Sequence, residues 1–425
     1  MDELTIPETL SPPRNLKGPE LSQYCKQVMP HQNKRGILLA THENLKILLD
    51  SQGVELRYNI MKKEAEIIIP NKSFTTDNYY SSSSTWVLSL MRQLEMSTAN
   101  YMDLLEYLAD SYVYNPVQNW ITSKPWDGES RIHELFETIE LTYPEDRPAV
   151  EAFISKWMLG AVESIINPDG ADMSGILVLQ GIQEIGKTWW VRKLVPKDAV
   201  PDAVRVGVGI DPSNKDSIEQ VVCHWIVEFG ELDGVFRKAD IAALKAFLTR
   251  PNDTFRKSFA RRKSEYPRRT AFIASVNDHS YLVDETGNRR FWTIACKRIN
   301  SYHTIDMQQL WAEIYHKRTV ENAPFVLNDA EKELLKEINL RHQAIDPIKE
   351  RLQVKYNWDE PPTVWRWLTA TEIADEMGIT RPEAKDVRKL ASHLRSLNGN
   401  TAKRSGGKDL LAIPSKIKPI YSGDF

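Results

Sequence analysis

A glycine-rich stretch near the middle of the chain carries the residues with the clearest chemical potential. The apolar run 175–180 leads into Gly-Ile-Gln-Glu-Ile-Gly-Lys-Thr at 181–188, which has the G-x-x-x-x-G-K-T spacing of a phosphate-binding P-loop. In such a loop backbone N–H groups surround phosphates, the lysine reaches the β and γ phosphates, and the threonine ligates Mg²⁺. A chance glycine-rich turn is the alternative, but strand, loop and helix all fall where the motif needs them. The residues predicted to bind nucleotide are Gly181, Ile182, Gln183, Glu184, Ile185, Gly186, Lys187, Thr188 and Trp189.

Two acidic residues on a later apolar strand are candidates for the carboxylate that must lie opposite Lys187. The segment 223–231 places Glu228 and Glu231 three residues apart, so an ideal strand sends them to opposite faces. Gly230 allows a turn that brings both to the phosphate side. We predict that this strand lies beside the P-loop strand, that Glu231 polarises water, and that Glu228 near the metal is the second choice. A mid-strand carboxylate paired with a basic neighbour is the alternative for Glu228.

An amide and two guanidinium groups complete the candidate catalytic set. Asn277 ends the apolar run 271–276, where it can orient water or contact the γ-phosphate, although a turn-capping asparagine is the alternative. Arg289 and Arg290 follow a glycine turn and precede an apolar strand. An arginine supplied by a neighbouring subunit neutralises charge on a transferring phosphoryl and raises its rate by about 10³ to 10⁵. We predict one of the pair as this finger, while the other can stabilise the loop by a salt bridge.

Length and composition limit the scaffold that positions these residues. A chain of 425 residues is too long for one simple core. Its net charge of −3 argues against a polybasic nucleic-acid coat, so any nucleic-acid site must come from local basic clusters. Three isolated cysteines without zinc-like spacing fit a reducing cytoplasm, and no apolar stretch approaches a membrane span. We therefore expect a cytoplasmic protein with no membrane partner.

The pattern along the chain predicts an α/β fold in several parts. An N-terminal α/β domain is expected to contain a helix capped by Thr41, a hairpin over 54–60 and 65–69, and a polar break at Ser81–Ser84. The predicted boundaries are 1–112 for this domain with its flexible start, 113–320 for an ATPase core, 321–362 for a helical linker, and 363–425 for a C-terminal domain.

The order of these motifs resembles the virulence-associated protein E family of phages and genomic islands, which is similar to superfamily 3 helicases of the AAA+ class. The resemblance rests on the P-loop, Trp-Ile-Val-Glu-Phe-Gly-Glu-Leu at 225–232, Lys-Ala-Phe-Leu at 245–248, Asn277, and Gly-Asn-Arg-Arg-Phe-Trp at 287–292. It covers roughly 115–300 and implies an AAA+ core with Asn277 as sensor and Glu231 as the second-motif acid. The separated acids and adjacent arginines depart from the commonest superfamily 3 pattern, so individual roles stay open.

A basic segment precedes the predicted sensor strand, at the position where superfamily 3 helicases insert a hairpin into the channel of a ring. Between 250 and 269 eight basic residues stand against two acids, with Phe255, Phe259 and Tyr266 interleaved. Basic side chains bind phosphates and aromatic rings stack on bases. A solvated basic loop or a subunit contact is the alternative. The predicted DNA-binding residues here are Arg256, Lys257, Arg261, Arg262 and Lys263.

The end of the chain predicts a winged-helix domain. A helix over about 382–397 carries Arg388 and Lys389 off its apolar stripe, and glycine turns flank Lys403 and Arg404 before a final strand. Such a helix enters a DNA groove while the wing contacts phosphates. A protein-docking role is the alternative.

Together these features predict an ATP-driven DNA helicase of a phage or mobile element. Expected partners are ATP, Mg²⁺, single-stranded or forked DNA, further copies of the chain in a hexameric ring, and a separate primase or other replication proteins. The resemblance also implies a bacterial host cell. Two alternatives stay open: an origin-binding initiator whose ATP drives assembly, and a host-interaction or defence ATPase.

Overall fold

The structure is a computed structural model that describes residues 15–173, 175–230, 238–255, 263–282, 287–344, 346–379 and 381–417. The chain divides into two compact units, one of Met1–Asn277 with Arg289–Leu335 and one of Asp278–Asn288 with Lys336–Phe425. None of the helices in the described ranges is both long enough and apolar enough to cross a bilayer.

The first unit begins with a small α/β layer that has its own sheet and core. Its elements are α1 (Gly18–Val28), α2 (His42–Ser51), β1 (Glu55–Asn59), β2 (Glu64–Ile68), α3 (Tyr79–Gln93), α4 (Tyr101–Asp110) and β3 (Val113–Tyr114). The sheet order is β2-β1-β3, with β1 and β2 forming the predicted hairpin. The predicted cap is also confirmed, because the Thr41 hydroxyl accepts from the Asn44 N–H.

The predicted polar break at Ser81–Ser84 is wrong, because these serines lie inside α3. Ser83 and Ser84 are buried, and their hydroxyls donate to the carbonyl oxygens of Tyr80 and Ser81 one turn earlier. Satisfying each hydroxyl within the helix removes the cost of burying it, so a serine run can continue a helix here.

The rest of the first unit is built on a six-stranded sheet. Its elements are α5 (Pro116–Ile121), α6 (Ile132–Glu137), β4 (Ile139–Leu141), α7 (Arg147–Ile166), β5 (Ile176–Gln180), α8 (Lys187–Lys193), β6 (Val204–Val208), α9 (Lys215–Val222), β7 (Ile226–Phe229), α10 (Lys238–Leu248), β8 (Asn252–Phe255), β9 (Ser264–Pro267), β10 (Ala271–Val276), β11 (Phe291–Ile299) and α11 (Met307–Thr319). The order is β4-β11-β5-β10-β7-β6, and every neighbouring pair is parallel except β4 with β11. The predicted α/β class is confirmed as a mixed fold around this sheet.

Burial on both faces explains why the central strands read as continuous apolar runs. Every residue of β5, β7 and β10 is buried. The helix α7 crosses this sheet, where the Trp157 indole donates to the Phe272 carbonyl at 2.8 Å, while the Trp225 indole donates to the Ala161 carbonyl at 2.9 Å. Because β5, β10 and β7 are parallel, their carboxyl ends meet at one edge of the sheet.

The second unit has a separate core in its C-terminal part. After α12 (Asp329–Arg341), which begins in the first unit, come α13 (Pro347–Lys355), β12 (Arg366–Thr369), α14 (Ala370–Glu376), α15 (Ala384–Leu397), β13 (Ala402–Ser405) and β14 (Lys408–Ile413). The three strands form an antiparallel sheet in the order β12-β14-β13. Leu352 and Tyr356 pack into the same core as Ile373, Leu390 and Leu411. This core therefore includes α13, which lies ahead of the predicted start at 363.

Candidate functional site

The P-loop connects the buried strand β5 to α8, and its two glycines are required by close backbone contacts. A Cβ atom on Gly181 would lie 2.4 Å from the carbonyl oxygen of Cys296. Gly186 has φ of 102° and caps the start of α8, where a Cβ atom would lie 3.2 Å from the Ile299 carbonyl oxygen. The end of β11 thus runs directly against the loop, and only glycine fits at both positions.

Lys187 and Asn277, predicted from separate motifs, meet at this edge of the sheet. The buried Lys187 ammonium donates to the carbonyl oxygens of Gly181 at 2.6 Å and Ile182 at 2.9 Å. It also donates to the side-chain oxygen of Asn277 at 3.0 Å. Because Asn277 follows β10, the neighbour of β5, this contact links the P-loop cation to the adjacent strand.

Glu228 lies with Thr188 on the other side of the loop. The Thr188 hydroxyl donates to Glu228 Oε1 at 2.8 Å, and the Ser275 hydroxyl donates to the same oxygen. The Gly207 N–H donates to Oε2 at 3.2 Å, and the Glu228 side chain is fully buried. These partners are neutral groups, whereas the alternative interpretation required a basic one. A carboxylate and a hydroxyl oxygen side by side are suitable ligands for Mg²⁺.

The predicted position of the acidic strand is wrong in one respect. We expected β7 to lie beside the P-loop strand β5, but β10 lies between them and pairs with both. The carboxylate still reaches Thr188 because Glu228 extends across the end of β10, past Ser275. Glu231 lies outside the described residues.

Arg289 and Arg290 lie at the opposite edge of the sheet from the P-loop. They directly precede β11, whose first residue Phe291 pairs with Ile176 at the start of β5. The P-loop follows the end of β5, and five strand residues span about 17 Å. Arg289 is exposed and Arg290 is half-buried. Neither arginine can therefore reach the P-loop of its own chain.

A cavity of about 820 Å³ opens over the P-loop. Besides the predicted residues, its wall contains Gly207, Ser275, Arg298, Ile299, Ser301 and Tyr302. Sequence reasoning missed these residues because none belongs to a motif. The available signal was topological: a strand parallel to β5 brings its carboxyl end, here residues 298–302, to the loop.

Burial keeps the Cys296 thiol and the His303 imidazole uncharged at neutral pH. It raises the pKa of the Cys296 thiol to about 12, with Lys187 lowering it slightly. Burial and then the nearby Lys193 lower the pKa of the His303 imidazole. The charged side chains in the wall of the cavity are Lys187, Arg298 and Glu184, and the Glu228 carboxylate accepts from Thr188 of that wall.

The predicted hairpin before the sensor strand is present as β8 and β9. They pair antiparallel from Asn252 with Pro267 to Phe255 with Ser264. Lys263 precedes β9 and is exposed. The other predicted DNA-binding residues of this segment, Arg256, Lys257, Arg261 and Arg262, lie outside the described residues.

Several side chains of the basic segment support the hairpin and do not face solvent. Phe255 is 1% exposed and Tyr266 stacks on it with ring centroids 4.6 Å apart, so the expectation that Phe255 stacks on bases is wrong. Arg268 is buried in an ion pair with Asp253 at 2.5 Å. Arg269 donates to the carbonyl oxygens of Pro168 and Pro267. Apolar packing and satisfied charges explain why these residues turn inward.

The basic residues of the C-terminal unit differ in how freely they face solvent. Arg404 and Lys403 are exposed on β13, and the Lys403 ammonium lies 4.2 Å from the Trp367 ring centroid. Arg388 is exposed on α15 and donates to the Ala384 carbonyl one turn earlier. Lys389 forms an ion pair with Asp346 at 2.7 Å, so its charge is already compensated within the unit.

The fold and the loop define an α/β protein with a P-loop at the carboxyl edge of a largely parallel sheet. The family model for the virulence-associated protein E-like domain matches residues 121–344, more than half of the chain. The chain belongs to this family, as the order of its motifs suggested.

Similar solved structures include the apo structure of the NrS-1 C-terminal region, which covers 87% of this chain and 98% of its own at 14% identity and a TM-score of 0.42. The A form apo structure of that region covers the same shares at 15% identity and a TM-score of 0.41. No curated protein matches the chain significantly.

Proposed function

We propose that this chain is an ATP-dependent DNA helicase of a phage or mobile element, with an AAA+ core and a C-terminal winged helix. The observation that carries the proposal is the convergence of Lys187, Asn277, Thr188 and Glu228 at one edge of the sheet. These are the cation, the sensor amide, the metal-binding hydroxyl and the carboxylate that phosphoryl transfer from a nucleoside triphosphate requires. Membership of the family supports it.

Each residue has a role that follows from its position. The Lys187 ammonium neutralises charge on the terminal phosphates, and Asn277 orients the water or reports the γ-phosphate. Thr188 and Glu228 fit Mg²⁺, which supplies charge neutralisation between the β and γ phosphates when bound. Glu231 remains the proposed group that polarises the attacking water. Arg289 or Arg290 completes the site of a neighbouring copy, which implies a ring, proposed here as a hexamer.

The link from hydrolysis to DNA runs along β10. Asn277 follows this strand at the P-loop edge, and the β8–β9 hairpin precedes it at the other edge. The Arg268 guanidinium fixes the hairpin by its ion pair with Asp253 and by donating to the Phe247 carbonyl. A shift of Asn277 is thereby transmitted to the hairpin, whose basic residues bind the phosphates of single-stranded DNA.

The decisive experiment measures ATP hydrolysis and strand displacement on forked DNA for the wild type and for Lys187→Ala. Losing a charge-assisted contact to phosphate reduces turnover at least about tenfold. Lys193→Ala, an exposed lysine at the end of the same helix, is the matched control and keeps both activities. Undiminished turnover in Lys187→Ala, or turnover without strand displacement, would reject the helicase.

An origin-binding initiator is the second candidate, favoured by the C-terminal unit. Its helices α14 and α15 and its strands β12, β13 and β14, with Arg404 exposed on the β13–β14 hairpin, support the proposal of a winged helix. In an initiator ATP drives assembly on duplex DNA without processive unwinding. DNA-stimulated turnover with strand displacement separates the helicase from this alternative.

A further inference from the structure

Two large aromatic side chains lie exposed in the wall of the cavity over the P-loop. The Trp189 side chain on α8 is 61% exposed and that of Tyr302, which follows β11, is 89% exposed. The Arg192 guanidinium lies 5.2 Å from the centroid of the Trp189 ring, and most of the surface of both aromatic residues stays in contact with water. Their position therefore points to a ligand that covers them.

The two elements that carry these rings are attached to one buried residue. The indole N–H of Trp190, next to Trp189, donates to the Thr138 hydroxyl at 2.8 Å. The N–H of Asn300 donates to the Thr138 carbonyl at 2.7 Å. Thr138 thus fixes the first turn of α8 and the segment that leads to Tyr302 relative to each other.

The backbone before Tyr302 is also held against the P-loop. The Tyr302 N–H donates to the Asn300 side-chain oxygen at 3.1 Å, which closes a tight turn. Ser301 is buried, and its hydroxyl oxygen lies 3.4 Å from the position of a Cβ atom on Gly186. The Tyr302 ring therefore projects from a rigid turn beside the glycine at which α8 begins.

We propose that Trp189 and Tyr302 form the stacking surface for the base of the nucleotide, with Thr138 as a positioning residue for both. The inference rests on the proposed function, because phosphates bound at Lys187 place the rest of the nucleotide inside the same cavity. Stacking on aromatic rings is tolerant of base identity, since every base has a π-face. Purines offer the larger face, so ATP and GTP bind similarly and CTP binds more weakly.

The test compares MgATP with tripolyphosphate, which has the phosphates without the base. Binding of each is measured by calorimetry for the wild type, Trp189→Ala and Tyr302→Ala. Each variant weakens MgATP at least about fivefold and leaves tripolyphosphate unchanged, because stacking is lost while the phosphate contacts remain. The ratio of ATP to CTP affinity falls towards one in both variants.

Three control variants separate the loss of stacking from other effects on binding. Tyr302→Phe retains the ring and binds MgATP as the wild type does, and Tyr107→Ala removes an exposed tyrosine from α4 without effect. Lys187→Ala weakens MgATP and tripolyphosphate together.

The stacking surface is overturned if the alanine variants bind MgATP normally, or if they lose tripolyphosphate to the same extent. If the wild type binds MgATP no more tightly than tripolyphosphate, the proposed stacking surface is rejected while the proposed phosphate site stands. A wild type that binds neither overturns the proposed function as well.

Discussion

At the residue scale, the Glu228 carboxylate sits deep in the sheet because three donors compensate its burial. The hydroxyls of Thr188 and Ser275 and the Gly207 N–H all point at it. A buried carboxylate is costly unless its lone pairs are satisfied. The same arrangement keeps a negative charge next to the P-loop threonine, where a hard cation binds best.

Glu228→Gln is expected to fold and to lose magnesium-dependent turnover. Glutamine keeps the volume, and its carbonyl oxygen can accept from the Gly207 N–H while its amide donates to the Thr188 and Ser275 hydroxyls, which rotate to accept. It removes the charge that Mg²⁺ needs, so the magnesium concentration for half-maximal ATP hydrolysis rises at least about tenfold. This concentration is measured by following the rate of ATP hydrolysis as Mg²⁺ is titrated. Glu140→Gln, an exposed carboxylate paired with Lys297, is the control and stays unchanged. An unchanged magnesium dependence in Glu228→Gln would exclude Glu228 from the metal site.

How far the site follows from sequence depends on the distance between its parts along the chain. Lys187 and Thr188 are local to one motif, so spacing alone identifies them. Glu228 reaches Thr188 across the end of the intervening strand β10, and the order β5-β10-β7 is set by long-range strand pairing that local pattern does not encode. Arg298 and Tyr302 enter the cavity for the same reason, since β11 is neighbour to β5.

At the element scale, a carboxylate from α11 caps the start of α6. The Glu313 side chain is fully buried and accepts from the backbone N–H of Arg131 at 2.7 Å and from the Ser130 hydroxyl at 2.7 Å. Lys317 donates to it from the next turn of α11 at 2.6 Å. Because α6 leads directly into Thr138, this cap also steadies the residue to which α8 is attached.

Glu313→Gln is expected to lower the free energy of unfolding at pH 7 by about 1–3 kcal/mol, because charged hydrogen bonds to a buried group are replaced by neutral ones. Burial by itself raises the pKa of the Glu313 carboxyl, but donors led by Lys317 outweigh it and lower the pKa below its usual range. This stabilisation is therefore present above the pKa of an unfolded glutamate, about 4.3, and is lost as pH falls through the lower folded value.

Denaturant unfolding at pH 7 and at successively lower pH down to about 3 tests this expectation. The difference in free energy of unfolding between the wild type and Glu313→Gln decreases as the pH falls. The control is Glu137→Gln, at an exposed position on α6, which has the same free energy of unfolding as the wild type both at pH 7 and at the lowest pH. A gap that is constant over the whole range would show that the charge of Glu313 contributes nothing.

The β13–β14 hairpin is the element on which duplex binding can be tested separately. Lys403 and Arg404 are exposed there, whereas Lys389 is paired with Asp346. Replacing Lys403 and Arg404 by alanine removes two phosphate contacts, so duplex DNA affinity falls and the slope of log affinity against log salt decreases by about two. Lys336→Ala with Lys349→Ala removes the same charge elsewhere in this unit and leaves the slope unchanged. Equal slopes for the two double variants would contradict a DNA-binding wing.

Element types were predictable where the pattern was regular, as in the β1–β2 hairpin and the capped helix α2. The serine run of α3 was wrongly predicted as a break because its residues are polar, whereas the Ser83 and Ser84 hydroxyls donate to carbonyl oxygens within the helix. Phe255 misled because alternation with basic residues suggests solvent, while its ring packs under Tyr266. In each case tertiary packing decided the environment of a residue that composition alone left ambiguous.

At the scale of the whole molecule, the sheet separates the two halves of the proposed catalytic site. The P-loop follows the end of β5, while Arg289 precedes β11 at the start of the same sheet. One chain therefore presents a phosphate site at one edge and an exposed guanidinium at the other. In the proposed ring, head-to-tail repetition of the chain would bring the two together at each interface.

Mixing two inactive variants tests this arrangement directly. Arg289→Ala lacks the finger and Lys187→Ala lacks the phosphate-binding lysine, so each alone is expected to lose ATP turnover, the first by a factor on the order of 10³. In a random mixture about one quarter of the interfaces combine an intact P-loop with an intact finger, because each interface draws on two subunits. Hydrolysis therefore returns on mixing. The control is Lys187→Ala mixed with Arg205→Ala, which replaces an exposed arginine of β6. In this control mixture the rate of hydrolysis falls only in proportion to the fraction of active chains. If Arg289→Ala keeps full turnover, or if the co-assembled inactive variants do not hydrolyse ATP, Arg289 does not act across a subunit interface. The same mixing experiment with Arg290→Ala then decides whether Arg290 does.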